Sequence, residues 1–133
     1  MTDGKLAYGH NCFETDRFFV RAPSALPSGT VNVQYQFDNE GGQPGAGGDG
    51  TLLVNGAVVA EGRIDKTVPF IFSADETMDI GQDTASPVSD DYPSGPASAF
   101  AGTINWVQVD LVGEELAHTE DPEQTYHRIL ARQ

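Results

Sequence analysis

The chain has 133 residues, and twenty Asp and Glu side chains against seven Lys and Arg give it a formal net charge of −13 at pH 7. Such a charge repels nucleic-acid phosphates and anionic lipid surfaces, so we expect cations or basic surfaces as partners and no nucleic acid or membrane. The single cysteine, Cys12, excludes an internal disulfide and a cysteine-rich zinc cluster.

The length suits one domain, and the sequence predicts a single unit over 1–133 with one core. Its first residues lack a basic start followed by an apolar run, and no stretch of about 18 apolar residues occurs. The sequence therefore predicts no signal peptide, no membrane span and a cytoplasmic protein.

Short β-type runs open the chain. Strands are predicted over 6–8 and 17–21, and the prolines and glycine of 23–29 mark a turn after them. Residues 30–37 alternate apolar and polar side chains, with Val31, Val33, Tyr35 and Phe37 on one face. That face is expected to line the core because successive strand residues point to opposite sides.

A tight hairpin is predicted next. Strands 51–54 and 57–63 flank Asn55-Gly56, a dipeptide that accepts the positive φ values of a type I′ turn. The glycine-rich stretch 39–49 before it lacks the Gly-Lys-Ser/Thr ending of a phosphate loop, so we interpret it as a hairpin or sheet-crossing loop.

Two later strands and one helix complete the prediction. Residues 68–73 contain Pro69, which suits a strand start or an edge. Residues 103–111 change apolar parity near Trp106, which predicts a β-bulge or burial on both faces. Asp121 and Pro122 are typical of a helix start, and the predicted helix covers about 122–132. We expect an all-β, antiparallel β-sandwich of concanavalin-like or jelly-roll type with this short C-terminal helix.

Several motifs in order resemble the non-catalytic C-terminal domain of long bacterial arylsulfatases. They are LLVNG at 52–56, VVAEGR at 58–63, PFIFS at 69–73, DIGQD at 79–83 and PVSDDY at 87–92. DGKLAY at 3–8 and LPSG at 26–29 resemble the start of that domain. The resemblance implies an accessory domain that acts in packing or assembly, with a sulfatase catalytic domain or a second copy of the chain as partner.

The catalytic motif of those enzymes, C/S-x-P-x-R, is missing. Phe13, Glu14, Thr15 and Asp16 follow Cys12, so the Pro and the Arg are both absent. Sulfate-ester hydrolysis does not carry over, and we predict a chain without enzymatic activity.

An acid-rich loop near residues 75–91 is the candidate metal site. Calcium takes several oxygen ligands from a compact loop, and Asp79 and Asp83, closed by Asp90 or Asp91, could supply them. The alternative is that these side chains solvate a long connection and form Asx-turns. A metal, if bound, is expected to be structural calcium.

Exposed aromatic side chains offer a second function, the binding of a glycan. Trp106 and Tyr92 are the candidates, because aromatic rings stack on sugar rings. The alternative is that both pack in the core or at its rim, as aromatic residues in and beside strands usually do.

Overall fold

A computed structural model describes residues 1–41, 43–69, 78–84, 87–93 and 95–111. The chain divides into two compact units, Met1–Gly102 and Thr103–Gln133, where the sequence predicts a single domain. The helix predicted over 122–132 lies outside the described residues. No helix in the described part is both long and apolar enough to cross a membrane.

The first unit is built from antiparallel strands. Two sheets are present, one with the order β1-β2 and one with the order β3-β4-β5. A 3-10 turn, Gly95–Ser98, is the helical element of the described residues. The all-β prediction is confirmed, while the concanavalin-like or jelly-roll subtype stays a prediction. The strands are β1 Lys5–Cys12, β2 Asp16–Ala25, β3 Val33–Asn39, β4 Ala46–Val54 and β5 Ala57–Lys66.

The hairpin between β4 and β5 forms as predicted. Asn55 has φ 52° and Gly56 has φ 80°, so both central residues adopt the left-handed backbone that a type I′ turn requires. Val54 and Ala57 are paired on either side of the turn. The local turn sequence is therefore sufficient to position these two strands.

Strand β4 begins at Ala46, earlier than the predicted residue 51, and includes part of the stretch interpreted as a loop. Its glycines make room for aromatic rings of the neighbouring strand. A Cβ atom on Gly50 would lie 2.6 Å from the Tyr35 hydroxyl oxygen and 2.9 Å from a carbon of its ring. Glycine here permits the ring of Tyr35 to lie across β4, which explains a strand rich in a residue that strands usually avoid.

The core lies where the two sheets meet. Val20, Leu52 and Ile64 form its buried centre. Strand β2 approaches β5 closely, because a Cβ atom on Gly62 would lie 3.0 Å from a methyl carbon of Val20. Half-buried side chains from β1, β2, β3 and β5 surround this centre: Leu6, Tyr8, Phe18, Tyr35, Phe37, Val59 and Ala60.

The two later strand predictions have different outcomes. Val68 and Pro69 lie outside any strand, and residues 70–73 of the 68–73 prediction lie outside the described residues. The strand predicted over 103–111 is wrong, since this segment has no regular secondary structure. An alternating sequence becomes a strand only when another strand satisfies its backbone groups, and no described residue does so here.

Truncation of the core should destabilise the first unit. Ile64 is 1% exposed, so Ile64→Ala should lower the free energy of unfolding by about 2–5 kcal/mol through lost burial and the remaining cavity. Val58→Ala, on the same strand but at a position 56% exposed, should change it by less than about 0.5 kcal/mol. Urea denaturation of both variants checks this, and equal losses would contradict the assignment of the core.

Candidate functional site

Strand β2 has two chemically different faces. Phe18 and Val20 point toward the core. Arg17, Phe19 and Arg21 lie at the alternate positions and therefore share the opposite face. The Arg21 guanidinium lies over the Phe19 ring, 3.8 Å from its centroid, which is a cation–π geometry. The result is a basic and aromatic row along the outer side of β2.

The acidic loop binds to this row through two ion pairs. An Arg17 guanidinium nitrogen lies 2.5 Å from Asp90 Oδ2, and one of Arg21 lies 2.6 Å from Asp91 Oδ2. The side chains are partly exposed, so each pair alone contributes modestly to stability. Together they hold the segment 87–93 at two positions, on either side of Phe19, along the same strand.

Hydrogen bonds join the parts of the loop to one another. The Tyr92 hydroxyl donates to Asp83 Oδ2 at 2.7 Å and accepts the Val88 N–H at 3.1 Å. Asp79 Oδ2 accepts both the N–H and the hydroxyl of Thr84, at 2.8 and 2.6 Å. The Tyr92–Asp83 hydrogen bond thus links the segment 78–84 to the segment 87–93, which is itself ion-paired with β2.

The 3-10 turn, Gly95–Ser98, is hydrogen-bonded to the segment 78–84. Ser98 Oγ accepts the Asp83 N–H at 2.9 Å, and the Gly95 N–H donates to the Asp83 carbonyl at 2.8 Å. Phe100 donates its N–H to the Gly81 carbonyl at 2.7 Å. The backbone groups in these bonds therefore have hydrogen-bond partners within the first unit.

A cleft of about 800 Å³ lies between β1, β2 and this loop. Phe19 forms part of its wall, and Gly9 on β1 leaves room for that ring, because a Cβ there would lie 2.9 Å from a ring carbon. Its lining combines carboxylates, aromatic rings and small polar groups. The lining residues that bear on function are Phe19, Asp79, Gln82, Asp83, Asp91, Tyr92, Ser98 and Phe100.

Four residues predicted from the sequence therefore line one cleft: Asp79, Asp83, Asp91 and Tyr92. Asp90 is instead engaged by Arg17. Each of the four aspartates accepts a hydrogen bond or an ion pair from a different protein group, so they do not converge as a ligand set. In the described ranges, no group of three or more His, Cys, Asp or Glu side chains is placed to hold a metal ion.

Protonation states in the cleft follow from these neighbours. The Arg21 guanidinium and then the Ser89 hydroxyl lower the pKa of Asp91, and hydrogen bonds from Thr84 lower the pKa of Asp79. Burial, assisted by the Asp83 carboxylate, raises the pKa of Tyr92. At neutral pH the cleft therefore presents Asp79 and Asp91 as carboxylates and Tyr92 as a protonated donor.

The sequence analysis missed the β2 side of the site. Arg17, Phe19 and Arg21 were seen only as part of a strand, although their alternation with Phe18 and Val20 places them on one face. The indicative signal is a pair of cationic residues separated by three positions on a strand of an acidic chain. Such a pair predicts an anionic partner over that face.

Trp106, the other predicted glycan residue, belongs to the second unit. It is 66% exposed and lies in the segment Thr103–Leu111 without regular secondary structure. Its apolar neighbours are also exposed: Ile104 43%, Val107 53%, Val109 71% and Leu111 83%. This segment is a second candidate for function, as a contact surface.

Removal of the two cations should loosen the acidic loop. The double variant Arg17→Gln with Arg21→Gln should speed amide hydrogen exchange in 87–93 severalfold, because the loop loses both ion pairs with β2. Arg63→Gln is the matched control, since Arg63 pairs with Glu40, Asp49 and Asp65 and should leave exchange in 87–93 unchanged.

The same variant has a pH signature. The folded-state pKa of Asp91 lies below its ordinary value of 3.8. The ion pair of Asp91 with Arg21 therefore stabilises the fold above pH 3.8, and this stabilisation is lost as the pH falls through the lowered pKa. The difference in melting temperature between wild type and variant should therefore shrink below pH 3.8. A difference that persists unchanged there, or a control that also releases 87–93, would contradict this account.

Comparison with known proteins gives no match. No family model fits the sequence, and no curated protein or solved structure is detectably similar to it. The arrangement of β2, the acidic loop and the cleft is therefore interpreted from its own chemistry.

Proposed function

We propose that this chain is a non-catalytic accessory domain, similar to the C-terminal domain of long bacterial arylsulfatases, that acts in packing or assembly with another protein surface. The observation that carries the proposal is the exposure of the large apolar side chains in the segment 103–111. The partner is a sulfatase-type catalytic domain or a second copy of the chain.

Exposure of the apolar side chains of 103–111 to water is unfavourable in free energy. Trp106, Val109 and Leu111 each expose well over half of their surface, and Asp110 is the one charged residue among them. Contiguous apolar surface of this kind is typical of interaction sites. Its burial contributes about 25 cal/mol per Å² of apolar area, and an indole ring supplies a large share of such area.

The sequence around the cysteine supports a role without sulfatase chemistry. Cys12 is 6% exposed at the end of β1, and the residues after it lack the Pro and Arg of the sulfatase motif. A reactive thiol is usually partly exposed. Cys12 is buried, which favours a role as a small apolar side chain, although Lys66 lies near enough to interact with it electrostatically.

A binding experiment tests the packing role. The partner is the catalytic portion of a long bacterial arylsulfatase from which its own C-terminal domain has been removed, and titration calorimetry measures its affinity for this chain. We expect a complex that Val107→Asp with Val109→Asp weakens about tenfold or more, since central apolar contacts dominate interface energy.

Gln108→Asp is the matched control. It adds a carboxylate to the same segment while leaving both valines in place, so it should weaken the complex far less. Absence of a complex with the catalytic portion, combined with a monomeric chain, would contradict the proposal, as would a complex insensitive to the valine substitutions.

The cleft favours a second candidate function, binding of a neutral glycan. Phe19, Tyr92 and Phe100 contribute aromatic surface, while Gln82 and Asp83 contribute hydrogen-bonding groups. Sugar sites combine these two features. The net charge of −13 disfavours a sulfated glycan unless a cation such as calcium bridges the two.

A glycan array distinguishes binding of neutral glycans from calcium-bridged binding of sulfated glycans. Neutral oligosaccharides should bind equally in calcium and in chelator, with the signal lost in Phe100→Ala, whereas sulfated ones should require calcium. Trp106→Ala is the control that reports on the other predicted aromatic residue and should leave cleft binding intact. An array without signal under both conditions would remove this candidate.

A further inference from the structure

We infer that the outer edge of β3 is a self-association surface that pairs antiparallel with β3 of a second copy of this chain. The inference rests on the proposed assembly role and deepens it by naming the partner and the contact. It depends on the backbone of Val33–Asn39, on the side chains that alternate along it, and on the distribution of acids around it.

Every second residue of β3 directs its backbone N–H and C=O groups away from β4. Strand β3 is an edge of the sheet β3-β4-β5 and pairs with β4 in a regular register. Hydrogen bonds at the two ends of this pairing join Asn55 N–H to the Asn32 carbonyl at 2.8 Å and Glu40 N–H to the Gly47 carbonyl at 3.0 Å. Bonded pairs alternate along an antiparallel ladder, so even-numbered residues of β3 direct their N–H and C=O groups toward β4.

The odd-numbered residues Val33, Tyr35, Phe37 and Asn39 consequently direct their backbone groups away from β4. No described residue forms a backbone hydrogen bond with this outer edge. The edge also lacks the usual protection: β3 contains no lysine or proline, and its pairing with β4 shows no bulge. Among the described residues it is a regular strand edge without a partner, and its backbone groups can pair with another strand.

The strand that pairs with this edge is β3 of a second copy of the chain. A two-fold axis at Tyr35 places Tyr35 opposite the second copy's Tyr35, and Val33 opposite the second copy's Phe37. Each of these is a pair whose outward N–H and C=O groups can be exchanged reciprocally. The register also joins the apolar rows of the two copies on one face, because directly opposite residues share a face.

Charge is compatible with the same register. In a chain of net charge −13, two copies can meet only where acids do not oppose each other. The symmetric pairing places Asp38 opposite the second copy's Asn32, and Glu40 opposite its Thr30. The Glu40 carboxylate is in addition paired with Arg63 at 2.6 Å. The edge is thus self-complementary in its backbone hydrogen-bonding groups and opposes no acids in this register.

Opposed charges on the exposed face test the edge directly. The register places Gln34 opposite the second copy's Gln36, and both side chains are exposed. Gln34→Glu with Gln36→Glu puts like charges opposite each other twice and should weaken the dimer about tenfold. Gln34→Lys with Gln36→Glu puts opposite charges there and should retain it.

Sedimentation velocity over a range of concentrations gives the readout, and circular dichroism verifies that both variants are folded. We expect a dimer for wild type and for the Lys/Glu variant, and a monomer for the Glu/Glu variant at the same concentration. A wild type that stays monomeric at high micromolar concentration, or a Glu/Glu variant as dimeric as wild type, would overturn the inference.

Cross-linking checks the register. Residues 34 and 36 would form non-hydrogen-bonded pairs with Cα atoms about 4.5 Å apart, within disulfide range. A mixture of Gln34→Cys and Gln36→Cys should give a covalent dimer on mild oxidation, in higher yield than either variant alone. Equal yields from the single variants would contradict the two-fold axis at Tyr35.

The outcome is separable from that of the proposed packing role. If Val107→Asp with Val109→Asp abolishes the dimer while Gln34→Glu with Gln36→Glu does not, assembly stands and the β3 edge is excluded. If the Glu/Glu variant is monomeric yet still binds the sulfatase catalytic portion, both the edge and the packing role are supported.

Discussion

The two-sided chemistry of β2 is the constraint on which the rest of the first unit depends. One face supplies Val20 to the buried centre, and the opposite face supplies Arg17 and Arg21 to the acidic loop. Because successive strand residues alternate in direction, the same few residues fix the packing of the sheets and the placement of the cleft. A shift of one residue in the pairing of β1 with β2 would bury the arginines and expose the core.

Lys66 and Arg63, two cations of the described residues, link different elements of the fold. Lys66 at the end of β5 pairs with Asp16 at the start of β2 at 2.5 Å, while Arg63 draws together Glu40, Asp49 and Asp65. Each of these bridges is exposed and individually weak. Their common effect is to neutralise acids where the backbone turns or crosses, so that the excess negative charge does not separate the strands.

Prediction from the sequence succeeds where the determinant is local. Asn55-Gly56 fixes its hairpin through its own backbone preferences, and the alternation of β3 survives as a row in which Tyr35 and Phe37 face the core. It fails where the determinant is another part of the chain. The start of β4 depends on a ring from β3 lying across Gly50, and residues 103–111 lack a partner strand among the described residues. The acids of the loop were predicted as a candidate site, but the arginines that engage them lie 73 and 70 residues away in sequence, so nothing in the loop itself identifies its partners.

Engagement of the loop acids changes what the negative charge of this chain can do. Asp79, Asp83, Asp90 and Asp91 each accept a hydrogen bond or an ion pair from a donor within the first unit, so part of the loop's negative charge is compensated there. Repulsion between whole chains remains, and at physiological ionic strength it acts over a Debye length of about 8 Å. A protein partner must therefore approach through surfaces with few acids. Strand β3 has Asp38 as its one acid and Thr103–Leu111 has Asp110, so the two surfaces identified on independent grounds are both nearly neutral. Because both surfaces carry few acids, an acidic chain can assemble through either of them while it keeps its net negative charge.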